Sequence, residues 1–385
     1  MKKIFYSILI FLLILLNFST VCADDVDNEV DFEDTIEVTA SNVSELPKTN
    51  SRRYIVYDRI SKSMIIGKNE DVKSAMASTT KIMTTIVILE KADLNEKVTV
   101  SAKAGGTGGS RLGLKRGDKA SVRDLLYGLM LRSGNDAAVA LAEHVGGSVK
   151  EFAELMNEKA IELGLTNTHF VTPHGLDDAN HYTTALELAK LTDYAMNNET
   201  FSKIVGTKSI TIYINNQPRQ INNTNELLGV LNGVVGVKTG FTNNAGRCLV
   251  TETKRNNMDI ITIVLGADTK KDRTKDSVNL IEYTFSKYKM YNLEEQIIKE
   301  FNKWKNINEK RILIIKGKTS NPKLALGAIE KATIPICDND KIEYSINALT
   351  EIEAPVEQWN VMGKLTVKIN GEILESIDIV NVNEV

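Results

Sequence analysis

The stretch Met76 to Leu89, MASTTKIMTTIVIL, decides how the chain is read. Ile82, Ile86 and Leu89 recur at helical spacing and make one apolar face, so the run is a helix whose first turn carries Ser78 and Lys81. Residues three apart share a face with Cβ atoms roughly 5–6 Å apart, so the lysine nitrogen can reach the serine hydroxyl. A lysine at the head of an apolar run is wasted as a surface cation. Buried, and with a second cation nearby, it can stay neutral and take the serine proton.

Two further stretches make the pair more than a chance S-x-x-K. In LRSGNDAAVALAEHV, Ser133-Gly134-Asn135 forms a polar corner between two helical segments; in GVKTGFTNNAGRC, Lys238-Thr239-Gly240 ends a β-branched run where a strand edge would expose it. Singly each reads as an ordinary turn. Together they occur in order, Ser133 55 residues after Ser78 and Lys238 105 residues after Ser133.

Other chemistries find less support. No G-x-S-x-G elbow is present, and none of the four histidines stands beside a convincing nucleophile. His169, His174 and His181 are too loosely spaced in loop sequence to make a metal cluster, and GGTGGSRLG lacks the Gly-Lys-Ser/Thr ending of a phosphate cradle, reading instead as a flexible loop. The net charge of −3 argues against a nucleic-acid partner, which favours a basic stripe.

Length and texture divide the chain. With 385 residues and a 42% apolar share, two domains are expected. Lys2 and Lys3 precede an apolar run from Ile8 to Leu16, and Val21-Cys22-Ala23 offers a cleavage site, so residues 1–23 read as a secretory signal peptide. Cys22 lacks the preceding leucine and small residue of a lipoprotein site. Residues 24–50 read as an acidic disordered tether, with nine acids and no Lys or Arg from Asp24 to Glu45. Cys248 and Cys337 read as independent small hydrophobes rather than a bridge.

Within residues 51–290, RRYIVYDRISKSMIIGKNE suggests a hairpin, Ser121 caps a helix through Leu131, Ser148 with Glu151 opens one to about Leu163, and Thr184–Asn197 is a third. SITIYIN, GVVGVKTGF, CLVTETK and DIITIVLGA follow as strands, and a last helix is expected near Ser277–Tyr288. This is a sheet faced by a helical cluster. Residues 291–385 read as a small all-β domain, with Asn370-Gly371 as a hairpin turn.

The three motifs resemble the S-x-x-K, S-x-N and K-T-G set of penicillin-recognising serine enzymes. The phrases ASTTKIMT, DLLYGLMLRSGNDAAVALAEHVGGS, THFVTPHGLDD, HYTTALELAKL and VKTGFTNNAGRCLV are similar to those of the low-molecular-mass penicillin-binding proteins that act as D-alanyl-D-alanine carboxypeptidases. The resemblance is dense from about Tyr54 to Ser286 and loose over the tail. It implies an α/β domain of β-lactamase/transpeptidase type, an antiparallel sheet flanked by helices, followed by a small all-β sandwich-like domain.

It implies site roles as well. Ser78 is the nucleophile, Lys81 its general base, Ser133 a proton relay, and Asn135 the holder of Lys81 and the substrate amide. Lys238, Thr239 and Arg273 are implied to bind the terminal carboxylate, Gly240 to admit the substrate backbone, and the N–H groups of Ser78 and Phe241 to form the oxyanion hole. Peptidoglycan stem peptides are the implied substrates and β-lactam antibiotics the covalent inhibitors, without cofactor, metal or nucleic acid. Two departures stand out: Met76 where the family usually has proline, and Val235 where an aspartate commonly precedes the strand. The tail lacks the amphipathic C-terminal helix of many relatives, so extracytoplasmic release and peripheral membrane or wall association are both expectations. A β-lactamase, a D,D-endopeptidase and an inactive wall-binding homologue are the rival readings; Ser-Gly-Asn in place of Ser-Asp-Asn counts against the first.

Overall fold

The computed structural model describes residues 45–316 and 322–383. The expected signal peptide and most of the tether lie outside the described residues. Strands β1 (Arg53–Asp58) and β2 (Ser63–Lys68) form the expected hairpin. Strands β3 (Val234–Thr242), β4 (Gly246–Arg255) and β5 (Met258–Ala267) complete an antiparallel sheet in the order β2-β1-β5-β4-β3, which leaves β3 at an edge. Asn256 and Asn257, both at positive φ, make the tight β4–β5 turn, a conformation asparagine tolerates better than most residues.

The strands are apolar on both faces because both are covered. Ile55, Tyr57, Val250, Ile261 and Ile263 pack into the large core under the helical cluster. Their alternates Tyr54, Val56, Ile260 and Val264 pack with Leu280 on the opposite side. That alternation follows from the period of two in a strand.

The helical cluster comprises α1 (Lys81–Lys91), α2 (Val122–Leu131), α3 (Asn135–Gly146), α4 (Val149–Glu162), α5 (Ala185–Met196) and α6 (Glu199–Val205). Helix α7 (Lys270–Lys287) covers the other face. Ser121 and Ser148 each accept the predicted cap bond from an N–H three residues on, and Thr184 caps α5 in the same way. Helix α7 starts seven residues before the expected position, because Thr269 caps it by accepting from Asp272 N.

The tail is strand-rich, with a four-stranded sheet built from Leu324–Leu326, Ile342–Ala348, Val361–Ile369 and Glu372–Asn381. Asn370 and Gly371, at positive φ, turn the hairpin as expected. The structure adds one element absent from the strand reading, helix α8 (Leu293–Asn308). Asn292 caps it, and Leu293, Ile297 and Phe301, spaced four apart, bury against Leu365, Val367, Ile377 and Ile379 of that sheet. Cys248 and Cys337 are both free thiols. Among the described residues no helix is long and apolar enough to cross a membrane.

Candidate active site

The nucleophile turn comes first. Residues Ala77–Thr80 form one 3-10 turn leading into α1, so Ser78 precedes the α-helix rather than sitting within it and Lys81 is its first residue. Ala77 is buried at φ 46°, a backbone region that side chains other than glycine rarely adopt. Thr79 Oγ1 donates to Met76 O at 2.6 Å and Thr80 Oγ1 to Ala77 O at 2.8 Å, so both hydroxyls brace the turn. The helical offset then carries the Lys81 side chain back over Ser78.

Lys81 is fully buried, and its Nζ lies 2.6 Å from Ser78 Oγ, 3.2 Å from Ser133 Oγ, 2.7 Å from Asn135 Oδ1 and 3.1 Å from the His174 carbonyl oxygen. Asn135 Oδ1 and the His174 carbonyl can only accept, so they take two N–H bonds of the amine. The tetrahedral nitrogen is thereby turned toward the two serines.

The Ser133 corner is tied to a neighbouring loop. Ser133 has φ 58°, and Asn135 opens α3 while its N–H donates to Ser110 O at 2.8 Å and its Nδ2 to Gly108 O at 2.9 Å. The buried Asp136 carboxylate accepts from the N–H groups of Leu112, Gly113 and Leu114, each at 2.8 Å. The glycine-rich loop expected to be flexible is thus clamped to the Ser-Gly-Asn turn. Asp136, one residue beyond the motif, is missed by the sequence reading.

Edge strand β3 brings Lys238, Thr239, Gly240 and Phe241. Lys238 and Thr239 are buried; Lys238 Nζ donates to Thr239 O at 2.8 Å, and Thr239 Oγ1 is 2.8 Å from Thr224 Oγ1. A Cβ at Gly240 would lie 3.1 Å from Ser78 N and 3.2 Å from Ala77 Cβ, which shows how closely β3 runs past the nucleophile turn. Phe241 is partly exposed beneath the Arg247 guanidinium, 3.7 Å from its ring centroid. Arg273 is buried in the first turns of α7, with Nη2 3.7 Å from Glu226 Oε2. It stands on the Thr239 side, since Glu226 is two residues from Thr224.

Bonds therefore join Ser78, Lys81, Ser133 and Asn135, and close approach adds Gly240; Arg273 pairs with Glu226, two residues from the Thr224 that bonds Thr239. The loop after α4 joins the two halves. His174 holds Lys81 through its carbonyl, Pro173 O accepts from Thr84 Oγ1 at 2.7 Å, and the Asp177 carboxylate accepts from Thr242 Oγ1 at 2.5 Å and Asn244 N at 3.2 Å at the end of β3. Burial above all pushes His174 down to about 3, and it likewise pushes His181 down to about 4. Both rings are neutral at neutral pH. The phrase THFVTPHGLDD was visible in the sequence, but nothing local showed that it meets Lys81.

A family model described as D-alanyl-D-alanine carboxypeptidase matches residues 39–269. The D-alanyl-D-alanine carboxypeptidase DacF of Bacillus subtilis is 33% identical over 327 residues, 83% of this chain and 82% of that protein. Among solved structures, the D-alanyl-D-alanine carboxypeptidase DacD from Francisella tularensis superposes with a TM-score of 0.73 at 25% identity, covering 92% of this chain and 98% of that one. Penicillin binding protein 5 from Haemophilus influenzae gives 0.70 at 30% identity, covering 88% and 98%.

Proposed function

Because the chain belongs to the D-alanyl-D-alanine carboxypeptidase family of serine peptidases, we propose that it removes the terminal D-alanine from peptidoglycan pentapeptide stems through an acyl-enzyme on Ser78. The observation that carries this reading is the 2.6 Å approach of Lys81 Nζ to Ser78 Oγ in a fully buried setting.

Two N–H bonds of a neutral Lys81 go to Asn135 and His174, which leaves its lone pair for the Ser78 proton. Burial favours the neutral amine, and a second ammonium on β3 would favour it further. As the proton moves to Nζ, Ser78 Oγ bonds to the carbonyl carbon between the two D-alanines. The oxyanion is received by the N–H groups of Ser78 and Phe241. The ammonium of Lys81 returns a proton through Ser133 to the leaving nitrogen, the C–N bond breaks, and D-alanine departs. Water then adds to the ester, the C–O bond breaks, and Ser78 recovers its proton.

Lys238, Thr239 and Arg273 hold the terminal carboxylate in this scheme, and the stem lies along the β3 edge as an added strand. Penicillin, a covalent mimic of the same peptide, acylates Ser78 and leaves slowly. Residues 51–290 are the catalytic unit and 291–385 an accessory one. The substrate places the enzyme outside the cytoplasmic membrane. The test is D-alanine release from a synthetic pentapeptide by purified protein: wild type is expected to release it and Ser78→Ala not, while equal release from both would remove Ser78 from the mechanism.

A further inference from the structure

Two residues that the mechanism leaves unused meet beneath the nucleophile turn. His181 is buried and lies 101 residues from Thr80 in sequence, yet its Nε2 is 2.8 Å from Thr80 Oγ1. Its other ring nitrogen, Nδ1, faces the Val171 amide at 2.9 Å and the Thr172 amide at 3.4 Å. An amide N–H only donates, so Nδ1 accepts, the ring proton sits on Nε2, and Nε2 donates to Thr80. The single hydroxyl hydrogen of Thr80 then goes to Ala77 O, 2.8 Å away. Every donor in this chain has its direction forced.

The surroundings keep it so. Phe170 meets the imidazole edge-on at a centroid distance of 5.7 Å, and burial, aided by His169 and opposed by Asp178, keeps the ring neutral at neutral pH. The end of the chain is what matters for catalysis. The Ala77 carbonyl and the Ser78 N–H belong to one planar trans peptide, so fixing the oxygen fixes the N–H on its other side. Ala77, at φ 46°, would not hold that plane by its own preference. Gly175 backs it, since a Cβ there would lie 2.0 Å from Ala77 O and 2.5 Å from Thr80 Oγ1.

We propose that His181 and Thr80 are positioning residues which hold the Ala77–Ser78 peptide so that the Ser78 N–H is presented to the oxyanion formed on acylation. The role rests on Ser78 being the nucleophile. A hydrogen bond given to Ala77 O also polarises the peptide, which makes the Ser78 N–H the better donor.

The test is the acylation rate of the full chain by a fluorescent penicillin, measured by stopped flow with Tm alongside. Thr80→Val keeps the shape and removes the hydroxyl; acylation is expected to slow about 10- to 100-fold, short of the roughly 10²- to 10³-fold loss of a whole oxyanion donor, with the initial non-covalent affinity unchanged. Thr80→Ser should recover most of the loss. His181→Gln, which can still donate to Thr80, should acylate faster than His181→Phe. Wild-type acylation by Thr80→Val, or a Thr80→Ser rate as low as that of Thr80→Val, would overturn the proposal. Should Thr80→Val not fold, equal rates for His181→Gln and His181→Phe would do so instead. Labelling of Ser78→Ala would bring down the nucleophile assignment itself, whereas an unlabelled Ser78→Ala beside a normal Thr80→Val removes the positioning role alone.

Discussion

Two buried basic side chains in this domain are handled in opposite ways. Arg59, just beyond β1, is ringed by carboxylates: Glu252, Asp259 at 3.0 Å and Asp193 at 3.0 Å, with Asn197 Oδ1 at 2.8 Å. Around Lys81 the oxygens of Ser78, Ser133, Asn135 and His174 are all uncharged. Burial alone would lower Arg59, but Glu252, Asp259 and Asp193 more than offset it and the guanidinium is held above its ordinary range. A guanidinium never gives up its proton and suits a fixed ion pair, whereas an amine among neutral dipoles can lose and regain one. Equal burial thus serves holding in one place and proton transfer in the other.

The sharpest way to break this contrast is to exchange the chemistry at position 81. Lys81→Arg puts a permanent cation where the neutral amine stood and abolishes proton acceptance, so D-alanine release is expected to fall by about 10²- to 10⁴-fold, the worth of a general base; activity within tenfold of wild type would mean that position 81 supplies charge alone. Arg59→Met does the converse. It takes the buried guanidinium from three carboxylates and leaves them only the half-exposed Lys62, on Asp193, and Lys254, on Glu252 and Asp259, so chemical denaturation should show a loss of about 3 kcal/mol, with acylation of the folded fraction unaltered.

Asp136→Asn comes next. It weakens the acceptor of three backbone N–H groups and should cost about 1–3 kcal/mol while slowing acylation, because the loop it clamps also seats Asn135. A variant with lowered stability and an unchanged rate would separate the clamp from the site.

The smallest effect is a slope against pH. His174 and His181 are held near 3 and 4, below the ordinary 6.5, so unfolding takes up two protons as pH falls from 6.5 toward 4, and stability declines with acidification there. Glu252 opposes them: burial and Asp259 push it up to about 7 despite Arg59, so unfolding releases its proton between 4.5 and 7. Asp58, raised by burial, opposes them as well, but the histidine shifts are the larger, so Tm falls on acidification. Glu252→Gln should steepen that fall, and a shallower fall would show that Glu252 is ionised in the folded protein.

What the sequence disclosed is what short-range chemistry encodes. Ser78 and Lys81 lie one turn apart, Ser121, Ser148 and Thr184 sit where their caps must, and Asn370-Gly371 declares its own turn. The partners that set the chemistry are not local: His174 is 93 residues from Lys81, and Asp136 acts on Leu112 to Leu114, more than twenty residues earlier. Helix α8 was encoded, by Leu293, Ile297 and Phe301 at one face, but the alternating runs that follow it, such as RILIIKG, read as strand. The displaced start of α7 has a similar origin, since its first turns carry lysine and aspartate and its apolar face begins only near Ser277.

Intact-protein mass spectrometry after brief exposure to penicillin tests the central claim most directly. One adduct of the drug's mass, mapped to the peptide that contains Ser78, long-lived in the wild type and absent from Ser78→Ala, is the predicted result. An adduct on another residue, or none on a folded and otherwise active protein, would contradict it.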